Sequence, residues 1–426
     1  MKLVLRLLFL LVLSTGFVFA QEADHNDDDK RVEADGSHGE EGSHEAYEPV
    51  TEIMNHISDA NEFHLFGHYA IPLPIILYAP EHGFKFGLSN MFHHGKTAVD
   101  GYVLNHGRVN RVADPAFPEG HIELAANDHD LHDVIEMTTH EVDGKTRDLG
   151  LLSYGGEEYK LDKPSTLDGG LAGGGITSFY DFSITKNVFT MMLAALLLWI
   201  VWVMIIKKKY INGAGKAPSG LQSLMEPVFV FIRDEVTKPM IGEKHYERFQ
   251  PFIMSLFFFI LFCNLFGLIP LFPGSANVTG NIAVTLGLAL LVMLVTNFNG
   301  NKDYWMHILW MPGVPVFVKP ILTIVEVLGI IIKPFSLMIR LFANISAGHI
   351  IILSLIGLIF VFGESGQNLA GAGVGAVVGT AFTAFMNLIE LLVAFLQAFI
   401  FAILAASYIG AAVEEHDHHD EHASAH

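Results

Sequence analysis

From residue 188 onward the chain carries five apolar stretches, and nothing else in it constrains the fold as tightly. A bilayer core is crossed by about 20 residues of helix. Inside lipid only helices and closed barrels satisfy their own backbone polar groups. The stretches run from about Val188 to Ile206, Pro251 to Leu271, Ile282 to Phe298, Ile321 to Phe362 and Val377 to Ala412. The fourth is interrupted at Lys333-Pro334. The fourth and fifth are long, which predicts a tilted antiparallel hairpin. Leu221 to Ile241 mixes apolar residues with Glu226, Arg233, Asp234, Glu235 and Lys238, too charged to span, and reads as an interfacial helix. The fold class expected is an all-α polytopic membrane protein of about five spans, with a small, mainly β, extracytoplasmic domain ahead of it.

Charge locates that second domain. The net charge is -20 although 51% of the 426 residues are hydrophobic. The acids crowd into roughly the first 180 residues and the last dozen, so an acidic soluble part precedes an acid-poor membrane part. Acidity excludes nucleic acid as a partner, since phosphate backbones need a basic face. Cys263, the single cysteine, excludes a disulfide framework. Residues 1–20 read as a signal peptide, with Lys2 and Arg6 before an apolar Leu7–Leu13 and a small Ala20. An uncleaved anchor is the other reading. Residues 21–60 are acidic, His-rich and low in complexity, hence expected to be disordered. Residues 61–180 are the mainly β part, with a hairpin of Ile71–Tyr78 and Phe84–Met91 across Glu81-His82-Gly83. Residues 183–412 form the membrane domain, and 413–426 an acidic, His-rich tail.

Orientation follows from the basic residues. Lys207 to Arg248 holds eight Lys and Arg, and the next connection on that side holds Lys302 and Lys319. Phe272–Asn281 and Gly363–Thr380 hold none. The positive-inside rule puts the amino end outside and the carboxyl end in the cytoplasm.

Ionisable groups within lipid are costly and point to function. Arg340 lies seven residues past Lys333, about 10 Å of helix rise, a long reach for a snorkelling side chain. Asn344 and Ser336, four residues to either side, share its face. His349, nine residues on, points to the opposite face, so it and Arg340 are separate sites. On the fifth stretch Glu390 and Gln397 are two turns apart on one stripe. With Gln397 level with Arg340, Glu390 falls near the depth of His349, and such a pair can relay protons near neutral pH. The bland alternatives are an intrachain ion pair for Arg340 and a structural pair for His349 and Glu390.

These residues carry a resemblance. Arg340-Leu-Phe-Ala-Asn344 followed by Gly348-His349 resembles the signature helix of subunit a in F-type ATP synthases. Gln397-Ala-Phe-Ile-Phe401 is similar to that family's last helix. Phe231-Ile-Arg-Asp-Glu-Val236, Asn264-Leu-Phe-Gly-Leu-Ile-Pro270 and Glu326 match in the same order, over roughly residues 183–416. The resemblance implies a proton-translocating stator subunit in a bacterial inner membrane, with other ATP synthase subunits, the c-ring and the subunit b stalk as partners. It implies that Arg340 faces the ring carboxylates between two half-channels, with Asn344 and Gln397 beside it. His349, Glu390 and Asn264, with Asn281 nearby, would line the outer path. Glu326, and less directly Ser407 and Tyr408, would lie near the inner path. No cofactor and no metal is expected, and any ATP chemistry belongs to other subunits.

The His and acid runs, such as His93-His94 and Asp128–Asp133, are not covered by the resemblance; metal binding, proton buffering and plain solvation all fit them. A divalent-metal transporter is the rival from another class. It predicts several His, Asp or Glu at helical spacing within the membrane, whereas the spans hold few acids, one His and a repelling Arg. A mere membrane anchor leaves Arg340, His349 and Glu390 unexplained.

Overall fold

A computed structural model of the chain describes residues 58–66, 69–105, 107–112, 114–124, 135–142, 145–166, 177–207, 217, 219–269, 276–311, 314–362 and 369–414. The signal peptide, nearly all of the expected disordered segment, the Asp128–Asp133 run and most of the acidic tail lie outside these residues.

The first described part is built from short antiparallel strands. β1 (Glu62–Phe66) pairs with β2 (Tyr69–Pro72). β3 (Pro74–Ala79) and β4 (Gly83–Leu88) form the expected hairpin, in the register Tyr78 opposite Phe84 and Pro74 opposite Leu88. Ile71 falls instead in β2, and Met91 in a 3-10 turn, Ser89–Gly95. Gly83 turns the chain at φ 73°, a conformation that costs glycine little. Period-two burial explains β3: Ile75, Leu77 and Ala79 enter a core with Phe92, Tyr102, Leu104, Val109 and Phe179. A four-stranded sheet follows, of β5 (Thr97–Val99), β6 (Tyr102–Asn105), β7 (Arg108–Arg111) and β8 (His121–Glu123), in the order β7-β6-β5-β8. β9 (Ile135–Val142), β10 (Lys145–Tyr154) and β11 (Glu157–Leu161) make a meander. β12 (Tyr180–Asp181) returns to pair with β3.

That return leads straight into the helices. The Ile184 amide donates to the Pro74 carbonyl (3.0 Å), and the Lys186 amide to the Ala60 carbonyl (2.8 Å). Buried Asp59 accepts from the amides of Ala60 (3.0 Å) and Asn187 (3.2 Å), while Arg108 stands 3.7 Å from its other oxygen. Phe63 meets Phe189 edge-on at 5.6 Å. One carboxylate thus ties a β-part arginine to the first turn of a helix.

α1 (Lys186–Trp199), capped by Thr185, continues as a π-helical turn, Ile200–Ile206. α2 (Leu221–Phe231), a π turn (Ile232–Thr237) and α3 (Lys238–Ile241) occupy the stretch expected at the interface. Arg233 grips Asp234 there in a two-pronged pair (2.8 and 2.9 Å). α4 is Tyr246–Leu268. α5 (Ile282–Phe298) bends 105° into α6 (Lys302–Leu309), an element the periodicity had not suggested. α7 (Lys319–Phe362) and α8 (Leu369–Val413) are the long hairpin. Among the described residues four helices are long and apolar enough to cross a membrane, five if α5 and α6 make one bent span. The chain is mostly helical in its membrane part, as expected.

Two boundaries differ from expectation. α7 runs unbroken through Lys333-Pro334. A proline inside a helix removes one backbone bond at about 3 kcal/mol, a local cost, while in lipid the remaining backbone groups on either side are satisfied only by continuing the helix. α8 starts at Leu369 rather than Val377, because its Gly- and Ala-rich opening turns lack the hydropathy that marks a span yet still continue the helix. The core of this part packs α4 and α5 centrally, with Phe257, Phe258, Phe259, Ile253 and Leu288 fully enclosed. Only 17% of the apolar span of α7 is buried, against 61% in α4. α7 is therefore an outward-facing helix.

Candidate functional site

His349 and Glu390 come together where α7 crosses α8. The His349 Nδ1 lies 2.7 Å from Glu390 Oε1, with side-chain exposures of 15% and 5%. The two side chains therefore lie at one depth, the arrangement that their offsets of nine and seven residues from Arg340 and Gln397 allow. Two glycines make room for the pair. A Cβ at Gly348 would lie 2.7 Å from Glu390 Oε1, and one at Gly267 would lie 3.4 Å from His349 Nε2. Among the described residues no protein group bonds Glu390 Oε2, although it is buried. The pair thus joins a buried carboxylate, one oxygen of which is unbonded among the described residues, to an imidazole that can carry a proton.

Asn264 on α4 stands beside this crossing. Its Nδ2 donates to the Ala394 carbonyl of α8 (3.1 Å), and its Oδ1 accepts from Thr279 (2.6 Å). Ser346 donates to the Gly280 carbonyl at 3.3 Å. The segment 276–281 is thereby fastened to α4 and α7, a role the sequence did not suggest for Thr279 or Ser346. The Asn281 side chain caps α5, its Oδ1 accepting from the amides of Ala283 (2.8 Å) and Val284 (3.4 Å). An N-cap asparagine is already committed to backbone.

Arg340 is half-buried on α7, one residue from Ile339, which is 54% exposed. Asn344 and Ser336 are exposed, so the face they share with it is open. Gln397 is buried on α8. Among the described residues no carboxylate pairs with the Arg340 guanidinium, so the intrachain ion pair considered from sequence does not form there.

A second group of polar side chains gathers where α6 meets α7 and α8. A cavity of ≈ 290 Å³ is lined there by Asp303, Tyr304, His307, Glu326, Lys333 and Glu414. A smaller one of ≈ 20 Å³ shares Tyr304, Ile330 and Lys333 as walls and is also lined by Asn297, Leu337 and Tyr408. Lys333 stands 5.5 Å over the Tyr408 ring, and Tyr304 donates to Asn297 at 3.0 Å. Glu326 therefore lines the larger cavity, and Tyr408 the smaller one together with Leu337, three residues from Arg340; Ser407 is half-buried and lines neither. Asp303 and His307 were not singled out from sequence, because helix α6 was not. Among the described residues no three His, Cys, Asp or Glu assemble into a metal-binding group.

Residues 188–410, more than half of the chain, match the family model described as ATP synthase A chain. The chain belongs to that family. Curated relatives agree with the assignment. ATP synthase subunit a of Chloroherpeton thalassium is 43% identical over 262 residues, covering 58% of this chain and 72% of that protein. The Myxococcus xanthus protein of the same name is 38% identical, covering 63% and 82%. That of Anaeromyxobacter dehalogenans is 34% identical over 369 residues, covering 84% and 89%. Residues 52–134 match a separate model, Domain of unknown function (DUF8433). As a member of the ATP synthase A chain family, the protein is a membrane component of an ATP synthase, working alongside that enzyme's other subunits in proton transport. A divalent-metal transporter finds no support.

Proposed function

We propose that Arg340 faces the carboxylates of a rotating c-ring and separates two half-channels through which protons reach and leave that ring. A guanidinium is effectively always charged, so it cannot relay a proton. It stabilises a ring carboxylate as the anion only while that group stands beside it, and the site must be protonated before it moves into lipid. His349, Glu390 and Asn264 line the outer path, Glu326 the inner one, and Asn344 and Gln397 flank the arginine. The amino-terminal part lies outside a bacterial inner membrane and the carboxyl end in the cytoplasm, with the subunit b stalk holding the assembly still.

The observation that carries the proposal is the separation of polar groups around an arginine that no described carboxylate neutralises. The His349–Glu390 pair sits on one side of it along α7, and the cavities with Glu326 and Tyr408 on the other. The open face of α7 further supports a ring partner. ATP-driven proton pumping in membranes carrying Arg340→Ala, with assembly checked by co-purification, tests it. An assembled but non-pumping complex is expected. Unchanged pumping makes Arg340 structural and removes the half-channel account.

A further inference from the structure

Strand β4 presents an apolar stripe on the surface of the amino-terminal part. Its alternating side chains Phe84, Phe86 and Leu88 are 60%, 71% and 45% exposed. Antiparallel sheets with one open face ordinarily turn polar residues to water. Here the polar residue faces inward: Lys85 pairs with Asp100 and lies 5.9 Å over the Tyr102 ring. The stripe is ordered by its own contacts, with Phe84 stacked on Phe86 at 5.9 Å and tilted against Tyr78 at 4.6 Å. Phe182, itself 38% exposed, joins it at 6.5 Å from Phe84.

Its position identifies what covers it. Phe182 lies four residues before α1, on the extended segment that runs into the first membrane span. Leu88 pairs with Pro74, whose carbonyl takes the Ile184 amide two residues before α1 begins. Leu73, next to Pro74, is buried in the core of the membrane part. The Leu88 end of the stripe therefore lies near the start of α1, a helix that itself carries exposed apolar side chains such as Met192 and Leu196, 49% and 51% exposed. Phe and Leu on one exposed face near the end of a span suit burial at the boundary between headgroups and acyl chains.

We propose that Phe84, Phe86, Leu88 and Phe182 form an interfacial anchor that rests the β4 edge in the lipid headgroup layer beside α1. The anchor holds the β part against the bilayer in addition to its covalent link. At about 3.3 Å per strand residue, Leu88 and Phe84 are roughly 13 Å apart, so contact is deepest at Leu88.

The test is spin labelling of the assembled enzyme in phosphatidylethanolamine–phosphatidylglycerol vesicles. Labels go on Leu88→Cys, Phe86→Cys and Phe84→Cys, with Glu158→Cys, exposed on β11, as an aqueous reference. Cys263→Ser removes the one native thiol; if that variant fails to assemble, the buried thiol is left in place and its labelling measured separately. The collision ratio of oxygen to a water-soluble nickel chelate should exceed that at Glu158 several-fold at Leu88 and Phe86, and less at Phe84. Ratios equal to that at Glu158 at all three positions overturn the anchor. Shielding from both reagents overturns it equally, because protein, from another subunit or from elsewhere in this chain, then covers the stripe.

Discussion

Replacing Gly348 by Ala perturbs the His349–Glu390 pair without removing either group. The new methyl carbon would stand 2.7 Å from Glu390 Oε1 and 2.9 Å from the carboxyl carbon. Non-bonded contacts settle near 3.5 Å, so the carboxylate oxygen must retreat by roughly 0.8 Å. Its bond to His349 is 2.7 Å long, and such a shift carries it out of the favourable range unless the imidazole follows. Hydrogen bonds to charged groups contribute about 1.5–3 kcal/mol, so the paired geometry should become roughly 10- to 100-fold less populated. Because the crowded atoms are the end of a flexible side chain, the helices need not move and the complex should assemble. The assay is ATP-driven acidification of inverted vesicles, normalised to co-purified complex, and pumping should fall about tenfold or more. Full pumping by Gly348→Ala would refute the need for the pair. Loss of assembly would equally refute the reasoning, since it would make Gly348 a packing residue.

Thr279→Val keeps the side-chain shape but leaves Asn264 Oδ1 buried without its donor, and should cost about 1–3 kcal/mol, read as a lower thermal denaturation midpoint of the purified complex. Gly410→Ala drives a methyl into the Met240 carbonyl, which is backbone and cannot swing aside. Overpacking of this kind costs typically 1–3 kcal/mol or more, so the amount of co-purified subunit should drop sharply. Asp181 gives a pH signature. Burial raises its pKa above the ordinary 3.8, only partly opposed by the Arg108 charge and by bonds from Ser183. The folded state therefore holds the proton more tightly than the unfolded one. The contribution of Asp181 to the stability of the β part should be greatest at low pH, fall as pH rises from 3.8 towards the raised value, and level off above it. Asp181→Asn should flatten that part of the profile when amide hydrogen exchange is followed against pH.

The spans and the site residues were legible because lipid imposes a simple rule on sequence. Apolar runs mark the helices, and each charge within them must be accounted for; Arg340, His349 and Glu390 stand out for that reason. Helical spacing was enough to bring His349 and Glu390 to one depth, since α7 and α8 are long and antiparallel. Helix α6 escaped notice, and with it Asp303 and His307, because eight amphipathic residues after a sharp bend carry no span signal. The boundary at Lys333-Pro334 was misplaced because a local breaker weighs heavily in sequence, whereas in lipid the backbone on either side of it is satisfied only by continuing the helix.

By itself, then, the sequence determined where the chain enters lipid, which charges it carries there and how its β hairpin turns. Those properties depend on residues near one another in the chain. Tertiary structure alone decided that Asn281 caps a helix, that Thr279 completes Asn264, that Gly348 and Gly267 leave space for an ionisable pair, and that Phe84, Phe86 and Leu88 face outward beside α1. Each depends on which atom of a distant element stands within a few ångströms, and spacing along one helix or strand does not encode that.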